Sequence, residues 1–244
     1  RCVDGRADYI HLDVMDGQFV PNKTFDHTKI KELRPLTLIP FDAHLMIDEP
    51  VKHVHDYVDA GSDIITVHAE VCDESSFGEI CDVLHSNEVG IGLAINPDTE
   101  LPQWCYKFVE LLDQVIIMSV VPGKSGQKFI ESTHEKTRRV TKDLREHKFE
   151  GYVESDGGVN LENIGACFED GARAFVGGSA IIGQNDVRMI IKEFRNQVLE
   201  SRRRLLIKKA LDLGGTELVN SWIDLHVVGE KKDKLVQIAK ELGF

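Results

Sequence analysis

Apolar, β-branched runs recur along the chain, and each one precedes a segment with the spacing of a helix. Near-continuous apolar strands that alternate with helices indicate a parallel sheet covered on both faces. The helical spacing is clearest at 51–58 and 187–198, and Gly61 and Gly171 stand where glycine commonly ends a helix. The predicted strands are Tyr9–Met15, Leu38–Met46, Asp63–His68, Val89–Ile95, Gln114–Val120, Gly151–Ser155 and Ala174–Gly177.

Polar side chains fall at or near the carboxyl ends of these strands. In a barrel of alternating strands and helices, that end of the sheet is the face on which active sites assemble. This clustering and the short connections favour an α/β fold of the TIM (β/α)8 type over a doubly wound sheet, although a single polar residue at a strand end is common. The residues are His11, Asp13, His44, His68, Asn96, Ser119, Asp156 and Ser179.

Eight strands close such a barrel, and the apolar pattern supplies seven. A further strand-like run, Ser221–Val228, follows the helical region Val187–Leu213 and leads into another helical pattern. We hypothesise that this C-terminal unit fills the vacant position, because closure would remove two unpaired sheet edges. The alternative is an extension unrelated to the barrel.

Composition narrows the class of protein. The 244 residues suffice for one large α/β domain, and the net charge of −12 argues against a nucleic-acid binder. No apolar run is long enough to cross a bilayer, so we expect no membrane association. The five cysteines form no C-x-x-C pair and fit a reducing compartment, which predicts a cytoplasmic protein and is also compatible with a plastid.

Two histidines and two aspartates carry the candidate metal chemistry. His11 and Asp13 share one face of their strand, His44 lies on the next strand, and Asp156 ends a third. A mixed set of imidazole and carboxylate ligands suits one divalent ion, namely Zn, Fe(II), Mn or Co. Asp42 is expected to orient His44 from the same strand face. Taken singly, each of these residues can also be interpreted as an ordinary polar group of the core or of a strand end, with its hydrogen bonds satisfied.

Glycine-rich loops follow three adjacent strands and suggest an anion site. Glycine lets the backbone approach a phosphate and direct its N–H groups toward it. Barrels of this type bind phosphate at the loops after their last two strands. The loops contain Gly157, Gly158, Gly178 and Ser179, with Pro122–Gln127 as a third wall.

Three methionines stand beside these polar groups. Met15, Met46 and Met118 are interpreted either as core filling or as an adaptable apolar collar over a bound intermediate. Four further histidines have no comparable arrangement, and all but His68 are expected at the surface. These residues are His53, His55, His68 and His85.

Six segments, in unbroken order through residues 6–183, resemble the ribulose-phosphate 3-epimerase family. They read "HLDVMDGQFVPN", "DAHLMI", "GSDIITVHAE", "MSVVPGKSGQKFI", "ESDGGV" and "VGGSAI". The resemblance implies a TIM barrel that interconverts D-ribulose 5-phosphate and D-xylulose 5-phosphate in pentose-phosphate metabolism with a divalent metal. It also implies a phosphosugar as the small-molecule partner, and we expect a homo-oligomer.

The same resemblance assigns roles to individual residues. Asp13 and Asp156 would be the two acid/base groups that invert C3 through a cis-enediolate, and with His11 and His44 they would bind the metal. His11 and His44 would also contact the substrate. The other substrate-binding residues would be Met15, Met46, Met118, Gly123, Lys124, Ser125, Gly126, Gly157, Gly158, Gly178 and Ser179.

The chain departs from the family pattern in three places. The family's first strand, which carries a serine near the substrate, has no counterpart before Tyr9, and the chain is expected to lack its true beginning. In the loop after the fifth strand, Val121, Lys124 and Ser125 replace a polar residue, Phe and Gly. We therefore divide the chain into an epimerase barrel at 1–185, holding strands two to eight of the family, and a last helix with a C-terminal extension at 186–244.

Other functions stay open at this stage. A related hexulose-phosphate 3-epimerase would use the same scaffold, and a catalytically impaired binding subunit could keep the same motifs. Hexulose-phosphate synthases and orotidine-phosphate decarboxylases are less compatible, because they place a D-x-K-x-x-D array where this chain has His11 and Asp13.

Overall fold

A computed structural model of the chain describes residues 2–212, with side chains to residue 209. Within that range, seven parallel strands form one sheet in which each strand pairs with its neighbours in sequence. All seven strands predicted from the sequence are confirmed, with small shifts at their ends. They are β1 (Ile10–Met15), β2 (Phe41–Met46), β3 (Ile64–His68), β4 (Gly90–Ile95), β5 (Gln114–Met118), β6 (Tyr152–Asp156) and β7 (Ala174–Val176).

α-Helices follow six of the seven strands and cover the outside of the sheet, whereas the connection from β4 to β5 holds a 3-10 helix, Gln103–Lys107, instead of the helix that the sequence predicted. Gly61 and Gly171 take positive φ angles of 89° and 119° at helix ends, which confirms their predicted positions. Asp73 caps the third helix by accepting a hydrogen bond from the Ser76 N–H. The helices are α1 (His27–Leu33), α2 (Val54–Asp59), α3 (Glu74–Ser86), α4 (Thr133–Glu146), α5 (Ile164–Asp170) and α6 (Val187–Asp212).

The two faces of the sheet have different chemistry. On β2, Phe41, Ala43 and Leu45 point outward into the main hydrophobic core beneath the helices. The alternate residues of that strand, including Asp42 and His44, are also buried but lie outside this core. The inner face of the sheet therefore carries buried polar groups beside apolar ones, and those polar groups need partners there.

The sheet curls until distant strands meet on its inner face. His11 on β1 lies 3.5 Å from a carboxylate oxygen of Glu154 on β6, although four strands separate the two in the sheet. In the described part of the chain, β1 pairs only with β2 and β7 only with β6. Arg195 on α6 donates to Asp8 over 2.9 Å, so α6 is tied to the segment that enters β1.

Two further expectations from the sequence concern the C-terminal strand and membrane association. The strand expected at Ser221–Val228 and the helix after it lie outside the described residues. Among residues 2–212, no helix combines the length and the apolar character that a membrane span requires.

Candidate active site

Strand register brings the predicted metal ligands to one place. In the parallel pairing of β1 with β2, His11 lies beside Asp42 and Asp13 lies beside His44. Asp156, the last residue of β6, reaches the same place across the interior of the curled sheet. One potential ligand atom from each of His11, Asp13, His44 and Asp156 lies within 4.8 Å of all the others.

The spacing of these atoms fits a metal ion. His11 Nε2 and His44 Nδ1 are 3.3 Å apart, and Asp13 Oδ1 lies 3.4 Å from each of them. Asp156 Oδ2 lies 3.4 Å from His44 Nδ1 and 3.7 Å from His11 Nε2. A tetrahedral ion with bonds of about 2.1 Å separates its ligand atoms by about 3.4 Å. This cluster could therefore hold a metal.

A buried oxygen in the cluster has no hydrogen-bond partner. Asp13 Oδ1 is shielded from solvent and no group in the described residues donates to it with hydrogen-bond geometry. Leaving such an atom unsatisfied costs about 1–3 kcal/mol, and more when it is charged. A cation at the centre of the cluster would satisfy it.

The four groups strongly perturb one another's ionisation. Burial lowers the pKa of His11, but the carboxylates of Asp42, Asp13 and Asp156 outweigh it and hold that pKa well above its ordinary value. Burial also lowers the pKa of His44, and the nearby carboxylates of Asp13 and Asp156 outweigh this effect and raise it to about 9. Burial raises the pKa of both aspartates, whereas the two imidazoles lower it more, so both lie below the ordinary range.

A chain of hydrogen bonds orients His11. Its Nδ1 lies 2.8 Å from Asp42 Oδ2, and the other oxygen of Asp42 accepts from Gln114 Nε2 over 2.9 Å. The Tyr152 hydroxyl donates in turn to Gln114 Oε1 over 2.7 Å. The expectation that Asp42 orients His44 was wrong: the strand register sets Asp42 beside the neighbouring strand's imidazole instead.

A second series of hydrogen bonds, which the sequence pattern did not predict, links His44 to two further residues. His44 Nε2 is 2.9 Å from His68 Nε2, and His68 Nδ1 is 3.0 Å from Glu70 Oε2. His68 was predicted to have no constellation around it, yet its side chain is fully buried against the site. The signal was present in the sequence, because His68 lies in the apolar run of β3 just as His44 lies in that of β2.

Glu154 is another functional candidate that the sequence pattern did not predict. It lies two residues before Asp156 on β6, so both side chains point to the inner face. Its Oε1 atom is buried without a hydrogen-bond partner in the described residues. Burial is the largest cause and repulsion from Asp42 the second, and together they raise the pKa of Glu154 to about 8.

The three methionines are all buried close to these groups. Met15 and Met46 lie side by side in the strand register and, with Val20, form a small cluster separate from the main core. Met118 lies beside Asp156 in the pairing of β5 with β6. The histidines predicted at the surface are exposed there: His53, His55 and His85.

The glycine loops lie at the carboxyl ends of β5, β6 and β7. Positive φ angles, which glycine adopts without strain, occur at Gly123, Gly126, Gly157 and Gly158. The first two loops touch, since a Cβ on Gly158 would lie 2.5 Å from the Phe129 backbone nitrogen. Lys124, Ser125, Gly178 and Ser179 are exposed to solvent.

Comparison with known proteins agrees with this geometry. The sequence model of the "Ribulose-phosphate 3 epimerase family" matches residues 2–182. Ribulose-phosphate 3-epimerase of Bacillus subtilis (strain 168) is 41% identical over 192 residues, which cover 78% of this chain and 87% of that protein. The chloroplastic ribulose-5-phosphate-3-epimerase of Arabidopsis thaliana is 41% identical over 186 residues, covering 76% of this chain and 66% of that protein.

Solved structures support the fold. The 3-hexulose-6-phosphate synthase from Salmonella typhimurium superposes with a TM-score of 0.58 at 17% identity, covering 82% of this chain and 89% of that one. At this identity the likeness concerns the fold alone, which is of the TIM-barrel type that the sequence predicted. With the family match over most of its length, the chain belongs to the ribulose-phosphate 3-epimerase family.

Proposed function

We propose that the chain is an isomerase that interconverts D-ribulose 5-phosphate and D-xylulose 5-phosphate. The observation that carries the proposal is the convergence of Asp13 and Asp156 with two imidazoles, in a chain that belongs to an epimerase family. Inverting a carbon that bears a C–H bond needs one base to remove a proton and one acid to supply a proton on the opposite face. Two carboxylates from different strands can meet that need.

In the proposed mechanism, Asp13 and Asp156 exchange roles with the direction of the reaction. One carboxylate removes the C3 proton from its face of the sugar, and the carboxyl group opposite delivers a proton to the other face of the planar enediolate. His11 and His44 lower the pKa of both aspartates and so favour the ionised form that acts as the base. In each turnover the opposite aspartate must start as the carboxylic acid and gives its proton to C3, so the two residues end with their protonation states exchanged. Burial of Asp156 excludes water from its side of the reacting carbon.

The proposed metal ligands are His11, Asp13, His44 and Asp156. A set of two imidazoles and two carboxylates is suited to Zn, Fe(II), Mn or Co. When bound, a divalent cation supplies the positive charge that stabilises negative charge developing on the substrate oxygens. His11 and His44 would also border the bound sugar.

The remaining substrate contacts are proposed for the loops and the methionines. Backbone N–H groups at Gly157, Gly158 and Gly178, with the Ser179 hydroxyl, would hold the phosphate, and the loop at 123–126 would close over it. Met15, Met46 and Met118 would cover the reacting part of the sugar with apolar surface.

The domain division, assembly and location stay predictions. A barrel at 1–185 with an extension at 186–244 is proposed, and so is a homo-oligomer. Relatives occur in bacteria and in a chloroplast, so cytoplasm and plastid are both consistent with the family.

A single assay tests the function. The full chain is purified, stripped with a chelator and reloaded separately with Zn²⁺, Mn²⁺, Fe²⁺ or Co²⁺, and formation of D-xylulose 5-phosphate from D-ribulose 5-phosphate is followed. We expect turnover after reloading, little in the stripped protein, and deuterium at C3 of the product in D₂O. Absence of turnover with every metal would refute the proposed activity and favour a binding subunit.

A further inference from the structure

His44 and His68 form a buried pair of imidazoles that the proposed mechanism does not use. Their Nε2 atoms are 2.9 Å apart, and both side chains are fully shielded from solvent. The ring planes differ by only 18°, and the ring centroids are 4.9 Å apart. A hydrogen bond between two nitrogens needs a proton on one and a lone pair on the other.

Glu70 decides which nitrogen carries that proton. An ionised carboxylate can only accept, and Glu70 Oε2 lies 3.0 Å from His68 Nδ1. Hydrogen bonds hold the pKa of Glu70 at about 2 against the opposing effect of burial, so the group is ionised. The proton of a neutral His68 therefore resides on Nδ1, and its Nε2 is left as an acceptor.

The consequence reaches the proposed metal centre. If His68 Nε2 accepts, then His44 Nε2 must be the donor, and a neutral His44 has no proton left for its other nitrogen. That other nitrogen, Nδ1, is the atom that lies 3.3–3.4 Å from His11, Asp13 and Asp156. In the neutral form of His44 that would bind a metal, the lone pair thus faces the centre.

We propose that His68 and Glu70 are positioning residues that fix the tautomer of His44 through this relay. The inference rests on the proposed function, since it concerns the metal site of that same centre. It assigns a role to two residues that would not touch the substrate or the metal. His11 has a direct carboxylate partner in Asp42, whereas His44 reaches its carboxylate only through a second imidazole.

The relay is anchored to a rigid part of the barrel. The second oxygen of Glu70 accepts the Asn96 backbone N–H over 2.8 Å, at the end of β4. Lys136 on α4, which is itself buried, donates to the Asn96 carbonyl and so holds the same turn. Glu70 therefore cannot swing away from His68 without breaking its bond to the Asn96 N–H, and Lys136 holds the turn that carries this N–H.

The test measures Zn²⁺ affinity, by competition with a chromophoric chelator, on purified full-length variants. Glu70→Gln and His68→Leu are each expected to weaken binding by about 10–100-fold. His68→Gln should restore most of the loss seen in His68→Leu, because its amide oxygen can accept from His44 while its NH₂ donates to Glu70. Glu74→Gln, which removes an exposed carboxylate on α3, is the matched control and should bind as the wild type does.

A spectrum tests the proton positions directly. Long-range ¹H–¹⁵N correlation of the Zn²⁺-loaded wild type should place a proton on His44 Nε2 and on His68 Nδ1. A proton on His68 Nε2, or a Glu70→Gln affinity equal to that of Glu74→Gln, would overturn the relay even if the protein is an active epimerase. If His68→Leu fails to fold, Glu70→Gln and the spectrum still decide. A wild type that binds no Zn²⁺ but turns over with another metal would overturn the inference for Zn²⁺. A wild type that binds no metal and shows no turnover would refute the proposed function itself.

Discussion

Asp13 and Asp156 approach the same nitrogen: an oxygen of each carboxylate lies 3.4 Å from His44 Nδ1. The two side chains arrive from β1 and β6, which are far apart in the order of the sheet. Their surroundings differ, since the Asp13 side chain is 46% exposed and that of Asp156 is 10% exposed. The carboxylate of Asp13 is therefore partly open to solvent, whereas that of Asp156 is buried in the inner face of the sheet.

Removing either carboxylate should abolish turnover without unfolding the protein. In Asp13→Asn and in Asp156→Asn we expect kcat to fall by at least about 10³-fold, because general acid–base catalysis commonly contributes 10²–10⁴-fold and the metal would be weakened as well. The measurement is the xylulose 5-phosphate assay, with a thermal melt of each variant. Asp82→Asn, an exposed residue of α3, is the matched control. Substantial turnover in either site variant would refute the two-base assignment.

Metal affinity should rise with pH. In the metal-free protein the pKa of His44 is raised to about 9 and that of His11 lies well above its ordinary value, so at pH 7 both imidazoles hold protons that a metal must displace. From pH 6 to about 9 the Zn²⁺ affinity should increase by up to tenfold per pH unit for each proton released. Titrations by calorimetry in buffers of different ionisation enthalpy count these protons. An affinity that does not change over this range would contradict the assignment.

The same pKa shifts predict an opposite trend in the stability of the metal-free fold. A histidine whose folded pKa is raised stabilises the fold below its unfolded pKa, near 6.5, and this stabilisation is lost as the pH rises through the folded value. The melting temperature of the stripped protein should therefore fall between pH 6.5 and about 9, where the contribution of His44 disappears. A melting temperature that rises over this window would show that the contacts of these histidines with the carboxylates do not dominate the pH dependence of stability.

Metal removal should lower the melting temperature. A ligand that binds only the folded state stabilises it by about 2.7 kcal/mol at 100 times its dissociation constant. Reloading the stripped protein with Zn²⁺ in that excess should raise the melting temperature by several degrees. Asp13→Asn should show a smaller rise, because it removes one of the four ligand atoms. An equal rise in that variant would place the bound ion elsewhere on the protein.

Two glycines of the proposed phosphate loops should respond differently to the same substitution. A Cβ on Gly178 meets no atom within 4 Å, so Gly178→Ala should leave the melting temperature unchanged and raise KM for the phosphosugar by about tenfold. Gly157 has φ +113°, and a Cβ there would lie 2.4 Å from Val120, so Gly157→Ala should destabilise the fold. If Gly178→Ala leaves KM unchanged, this loop does not hold the phosphate.

Sequence pattern alone located the seven strands and the four clustered residues His11, Asp13, His44 and Asp156. Each strand is a short apolar run between turn residues, and the alternation of side chains fixes which residues share a face. His11 with Asp13, and His44 with Met46, could be paired in this way because their positions depend only on the local geometry of one strand. Asp156 could be added because barrel chemistry gathers at the carboxyl ends of strands.

The partners of those residues were decided by the tertiary structure. Asp42 lies on the same strand face as His44, yet the register of β1 against β2 sets it beside His11. His68 enters the site because β3 pairs directly with β2, and Glu154 enters it because the sheet curls far enough for β6 to face β1. Register and curvature arise from the packing of all strands and helices together, and no single segment encodes them. The sequence thus determined which groups are available, whereas the packed barrel determined which of them meet.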